Sequence, residues 1–182
     1  MPIDTHVKRA HPILFGLLIL FTLVGWAMCA AVTNHCEYPS LYPSLSLTRE
    51  NNGGDWPSGS IRDRTRFLLF ANLWTFVFAI IYLVGFLKAT TSFLFSIAAH
   101  VVVIFLSWIF MMSGVAALTQ SLGGGLNCNS WPYAYCGVLN GIEGISWLNW
   151  IILTILLVMV LVQGSRAGRS GNGFGGALVA DV

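Results

Sequence analysis

The chain has 182 residues, of which 56% are hydrophobic and only 9% are charged, and its mean hydropathy is +0.76. A soluble domain usually carries about 25% charged residues, so this chain has too few charges to coat a surface that faces water. Nine Lys and Arg against seven Asp and Glu leave a net charge of +2, without the clustered basic face that nucleic-acid binding requires. Composition and charge therefore exclude soluble enzymes, disordered tails and nucleic-acid-binding domains. They predict one integral membrane domain over residues 1–182.

Four stretches are long and apolar enough to cross a bilayer as helices, which takes about 20 residues each. None of them contains Asp, Glu, Lys or Arg, and they cover residues 13–32, 67–87, 93–118 and 145–162. Each stretch must be helical, because lipid offers no hydrogen-bond partner to an unpaired peptide group. The sequence therefore predicts an all-α fold, a bundle of four transmembrane helices with an M-shaped path. Both termini lie on one side of the membrane and two outer loops lie on the other.

The connections between these stretches differ in length and composition. Residues 33–66 form a long first outer loop rich in Pro, Ser, Gly and Asn, whereas residues 88–92 form a tight inner turn. The second outer loop covers residues 119–144 and includes Gly123–Gly125, which the sequence predicts as a flexible exit from the third span. The tail over residues 163–182 is Gly-rich and is expected to be flexible unless it packs in an assembly.

The distribution of basic residues favours cytosolic termini. Cytoplasmic loops carry an excess of Lys and Arg. On the terminal side lie Lys8, Arg9, Lys88, Arg166 and Arg169, and on the loop side lie Arg49, Arg62, Arg64 and Arg66. A disulfide in the second outer loop would agree with this orientation, because such bonds persist on the oxidising side of a membrane.

Four cysteines allow three complete pairings. We favour a disulfide between Cys128 and Cys136, which would close a small loop before the fourth span. Cys29 is predicted to be a buried apolar thiol, and the sequence leaves open whether Cys36 is free or bridged. The alternative is that all four are simply small packed residues.

Two polar residues of the spans, His100 and Asn72, form a candidate intramembrane polar site, because an ionisable group in a membrane is a functional hypothesis by default. The alternative is a neutral imidazole that bonds to a polar side chain of a neighbouring helix, such as Asn72. Asn149 is expected to make a helix–helix hydrogen bond. No hydrolytic motif and no metal-binding or phosphate-binding pattern is present, so we predict no enzyme, no catalytic residue, no metal and no cofactor.

Other residues are assigned to the membrane boundary and to helix contacts. Arg62, Arg64 and Arg66 are candidate contacts for lipid headgroups, with arginines that reach from a helix end to the interface as the alternative. Trp26, Trp147 and Trp150 are predicted to anchor the spans at the interface. Small residues at helical spacing, such as Gly25 with Cys29 or Gly137 with Gly141, mark places where helices can approach closely.

Three features of the sequence resemble the MARVEL-domain family of four-span membrane proteins, over roughly residues 12–162. The Arg62-x-Arg64-x-Arg66-Phe67 run leads into a Trp-containing second span, and Cys128 and Cys136 flank the loop before the fourth span. The stretch LNGIEGISWLNW, residues 139–150, is similar to one common in fungal members.

The resemblance implies a non-enzymatic organiser of plasma-membrane microdomains or of vesicle trafficking. The leading hypothesis is therefore lateral self-association into homo-oligomers, with membrane lipids and other membrane proteins as partners. An accessory subunit of a larger membrane enzyme or export complex is one alternative. A small oligomeric channel or transporter, in which His100 faces a pore, is another.

Overall fold

A computed structural model describes residues 2–37, 56–88, 97–129 and 135–169, and each of these segments contains one long helix. The helices are α1 (Pro2–Glu37), α2 (Gly59–Leu87), α3 (Ile97–Leu122) and α4 (Cys136–Arg169). All four contain an apolar span long enough to cross a membrane: Ala10–Asn34, Gly59–Gly85, Ala98–Leu122 and Cys136–Ser165. The predicted all-α, four-span fold is confirmed.

The helices pack in a ring in which each one makes its main contacts with two neighbours, in the order α1, α2, α3, α4 and back to α1. Consecutive helices run in opposite directions, since the end of α2 meets the start of α3 and the end of α3 meets the start of α4. The end of the bundle at which α4 begins is called the disulfide end. The opposite end, at which α3 begins, is called the histidine end. Helices α2 and α4 therefore lie opposite each other and both run away from the disulfide end.

The helices extend beyond the charge-free runs that marked the predicted spans. Helix α1 passes through Pro12, α2 begins eight residues before the predicted span, and α4 begins nine residues before it. The Ser58 hydroxyl caps α2 by accepting a hydrogen bond from the Ile61 N–H (3.2 Å). A helix satisfies its own peptide groups, so it can continue through the polar interface even where charged side chains exclude it from the hydrocarbon core.

These bounds correct both predicted outer loops. Residues 33–37 and 59–66 of the first loop are helical, as are residues 119–122 and 136–144 of the second. Several predictions fall outside the described residues: the central part of the first loop (38–55), the inner turn from residue 89, the start of the third span (93–96) and the tail from residue 170.

Each helix has a buried side and an apolar outer side. Large side chains such as Phe15, Leu68 and Met111 fill the interior, whereas Ile13, Val102 and Val158 are more than half exposed on the outside. Such an exterior suits lipid. Because lipid tails are as apolar as leucine, close packing and polar contacts hold transmembrane helices together. The positions of the polar side chains are therefore the informative part of this fold.

Candidate functional site

Three consecutive glycines end α3 at the disulfide end. Gly123, Gly124 and Gly125 have φ angles of 72°, 90° and 120°, a region that side-chain-bearing residues rarely adopt. The Gly124 N–H donates to the Thr119 carbonyl (3.0 Å), which satisfies one of the carbonyls left open at a helix C-terminus. This run is thus a hydrogen-bonded helix cap rather than the flexible exit predicted from the sequence.

Asn140 holds the chain that follows this cap against α4. The Leu126 N–H donates to Asn140 Oδ1 (2.9 Å), and Asn140 Nδ2 donates back to the Leu126 carbonyl (2.8 Å). The structure joins Cys128 and Cys136 in the disulfide favoured from the sequence, with Cα atoms 5.6 Å apart. We call residues 126–128 with Asn140 and Cys136 the disulfide clasp. It fixes the end of α3 to the first turns of α4.

A chain of hydrogen bonds links α3 to α4 one turn below the clasp. Trp147 Nε1 donates to Thr119 Oγ1 (3.1 Å), and the Thr119 hydroxyl donates to Glu143 Oε1 (2.8 Å). An indole N–H can only donate, so the threonine hydrogen is left for the carboxylate. Trp147 therefore makes a helix–helix contact, and the sequence-based assignment of this residue to interface anchoring missed that role.

Of the three arginines predicted to contact lipid headgroups, Arg64 binds α3. Its guanidinium donates to the Ala117 carbonyl and to Ser121 Oγ. Arg62 is exposed and pairs with Asp63 of its own helix (3.1 Å), and Arg66 is half-buried on the outer side of α2. Residues two apart point in very different directions on a helix, whereas Arg62 and Arg66, which are four apart, lie on the same side of α2. Arg64 thus has protein partners on α3, and the lipid-contact role of the three arginines stays a prediction.

Two buried asparagines link the opposite helices α2 and α4 near mid-span. Asn149 Nδ2 donates to Asn72 Oδ1 (3.2 Å), and Asn72 Nδ2 donates to the Leu68 carbonyl (2.8 Å). Gly25 of α1 packs against this pair, and a Cβ atom built there would lie 2.7 Å from Asn72 Oδ1. We call Gly25, Asn72 and Asn149 the asparagine layer. Within the described ranges, Asn149 Oδ1 and the buried Ser146 hydroxyl on the same helix have no hydrogen-bond partner among the protein atoms.

His100 lies at the histidine end, in a site distinct from that of Asn72. Its ring packs on Tyr82 of α2 (centroids 4.0 Å apart) and faces His11 of α1 (6.2 Å). Both imidazoles are at least 98% buried, and the Tyr82 hydroxyl donates to the Ala99 carbonyl (3.2 Å). The single polar site predicted from His100 and Asn72 is therefore two sites. Ten residues of α2 separate Tyr82 from Asn72, which amounts to about 15 Å along the helix.

Four contact residues were not predicted from the sequence: His11, Tyr82, Thr119 and Asn140. His11 precedes Pro12, and the predicted span began after that proline. Asn140 stands in the stretch on which the family resemblance rests, which is the one signal that could have singled it out. Within the described residues, no three His, Cys, Asp or Glu side chains are grouped so that they could hold a metal ion.

Comparison with known protein families identifies the family of this chain. The sequence model of MARVEL, a membrane-associating domain, matches residues 7–161. The chain belongs to the MARVEL family. The match includes the disulfide clasp, the asparagine layer and both histidines, so these three sites lie within the MARVEL domain itself. Neither a curated protein nor a solved structure matches the chain.

Proposed function

We propose that this MARVEL protein is a non-enzymatic organiser that associates laterally with copies of itself in the plasma membrane. Its assemblies would scaffold microdomains or shape membrane for vesicle trafficking. Lipids are its main partners, and other membrane proteins can join the assembly.

One observation carries the proposal: the polar side chains that bond between helices lie inside the bundle, and large apolar side chains cover its outer sides. Hydrogen bonds between elements lie at three levels, namely the clasp, the asparagine layer and the Tyr82–Ala99 contact at the histidine end. The outer sides carry exposed aliphatic and aromatic residues, including Phe70 (48%), Val102 (56%) and Val158 (55%). A bundle with such an exterior is suited to contacts with lipid and with other spans.

The packing of the interior does not favour a channel through a single copy. Phe15, Leu18, Met111, Leu153 and Leu156 are each at most 1% exposed and fill the space between the helices. A conducting path would have to form between copies, which makes the channel alternative depend on the same self-association.

Native mass spectrometry from membrane patches with retained lipid tests the proposal. We expect multiples of the 19.9 kDa chain. A single copy would contradict the proposal, and a single copy bound to a different protein in fixed ratio would favour the accessory-subunit alternative.

The orientation with cytosolic termini is part of this proposal and has its own test. Intact cells would be treated with a membrane-impermeant reductant, and released thiols would then be labelled with an impermeant maleimide. We expect labelling of Cys128 and Cys136, because the disulfide end faces the oxidising side. A variant with serine at both positions is the control and should lose the label. Labelling of the wild type only after permeabilisation would contradict the orientation or the plasma-membrane location.

A further inference from the structure

The asparagine layer sets the relative depth of the two opposite helices. Asn72 and Asn149 are bonded across the bundle and are 77 residues apart in sequence. Helices α2 and α4 run in the same direction, so a residue of α2 lies at about the depth of the α4 residue 77 positions later. Copies inserted in one bilayer with one orientation share these depths. The relation therefore also holds between α2 of one copy and α4 of the next.

The outer sides of these helices carry matching stripes of apolar residues. On α2 the stripe includes Phe70, Leu73, Val77 and Val84, which are 43–48% exposed. On α4 it includes Leu148, Ile151, Ile155 and Val162, which are 39–48% exposed. Both stripes follow the alternating four-and-three spacing of helices that pack as coiled coils. The first residues of the two stripes, Phe70 and Leu148, are 78 positions apart, whereas the depth relation is 77 positions. The two stripes are therefore offset by one residue, which is about 1.5 Å along the helix axis.

An arginine of α2 and a glutamate of α4 lie at corresponding depths near the disulfide end of these stripes. By the depth relation, Arg66 of α2 corresponds to Glu143 of α4, and both side chains are half-buried. Gly144, next to Glu143, is exposed, and a Cβ atom built there would meet nothing within 4 Å. The open surface at Gly144 can therefore admit a long side chain that reaches Glu143.

Glu143 and Arg66 both have contacts within their own chain, and these contacts leave hydrogen-bonding capacity for an ion pair between copies. Glu143 accepts one hydrogen bond from Thr119 through Oε1, and a carboxylate has several further acceptor positions. Arg66 has contacts in its own chain. Its guanidinium has five N–H donors and can serve more than one partner.

We infer that the outer side of α2 in one copy docks on the outer side of α4 in the next, with Arg66 over Gly144 and paired with Glu143. This inference rests on the proposed self-association and specifies its surface. Because α2 and α4 lie on opposite sides of the bundle, the contact is head-to-tail and produces closed rings or open rows. A second copy suits this surface better than lipid, because its charges arrive at the matching depth.

Charge reversal in two separate chains tests the pairing. Arg66→Glu alone and Glu143→Arg alone each place like charges at every contact, so each variant should lose the oligomer. A mixture of the two restores opposite charges at every contact between unlike copies and should recover oligomers in which the variants alternate. Because recovery requires folded chains, misfolding cannot imitate it. Oligomers that survive either single change, or a mixture that stays monomeric although both variants are folded, would overturn the inference.

Cysteine cross-linking gives an independent measurement of the same surface. Copies with Phe70→Cys mixed with copies with Leu148→Cys should form the mixed disulfide, and neither variant should cross-link to itself. Ser113→Cys, on the exposed side of α3 at a similar depth, is the control and should not cross-link to Leu148→Cys. Oligomers that cross-link only elsewhere would overturn this surface and leave the proposed function standing. A monomeric wild-type chain would contradict both this docking surface and the proposed function.

Discussion

A valine in place of Gly25 should destabilise the bundle by about 2–3 kcal/mol, because the added side chain displaces Asn72 from Asn149. A Cβ atom at position 25 already lies 2.7 Å from Asn72 Oδ1, and that oxygen is held by its bond to Asn149. The change therefore affects three helices: α1 moves outward, and the hydrogen bond between α2 and α4 lengthens or breaks. Titration with a denaturing detergent in lipid bicelles measures the free energy of unfolding.

Gly16→Val is the matched control for this prediction. Gly16 is also in α1, but it faces outward, and a Cβ atom there would meet nothing within 4 Å. A double-mutant cycle with Asn72→Ala sharpens the test, because the smaller side chain gives space to the valine. We expect the double variant to be more stable than the sum of the two single effects. Equal losses at positions 16 and 25 would show that Gly25 does not act through the asparagine layer.

Removing the disulfide with serine at both Cys128 and Cys136 should cost about 2–3 kcal/mol. The bond closes a short loop, and its loss releases the segment between the Gly123–Gly125 cap and α4. The hydrogen bonds between Asn140 and Leu126 would then be the only part of the clasp that remains. The exchange rate of the backbone amides should therefore rise in the first two turns of α4. Detergent titration gives the free energy, and hydrogen exchange gives its location.

The reduced wild-type protein is the control for the disulfide variant. A reductant should lower the stability of the wild type to that of the serine variant and leave the variant unchanged. Because Cys29 and Cys36 are buried thiols outside this disulfide, they should not contribute to the response. A wild type that is insensitive to reductant would contradict a stabilising role for the clasp.

The helical spans were predictable because the bilayer imposes a single local rule. An unpaired peptide group is costly in lipid, so an apolar run of sufficient length must be a helix whatever it packs against. The same rule located the spans but not the helix ends, since α2 and α4 continue through the charged residues Arg64 and Glu143. Those ends depend on caps and on contacts with α3, which a charge-free window does not detect.

The site residues were predictable only as types. A histidine and two asparagines in apolar spans had to find partners, but their choice among several partners depends on how the helices are rotated and at what depth they pack. His100 meets Tyr82 and His11, whereas Asn72 meets Asn149. Arg64 and Arg66 read alike in sequence, yet Arg64 binds α3 and Arg66 lies on the outer side of α2.

The amino-acid sequence by itself determined that this protein is a membrane protein, that it has four helical spans, and which family it resembles. These properties follow from the length and hydropathy of single segments and from local motifs. The tertiary structure decided the ring order of the helices, the asparagine layer, the histidine end and the relative depth of α2 and α4. Those properties depend on close approaches between distant residues, such as Gly25 with Asn72, and each requires two surfaces to fit at once.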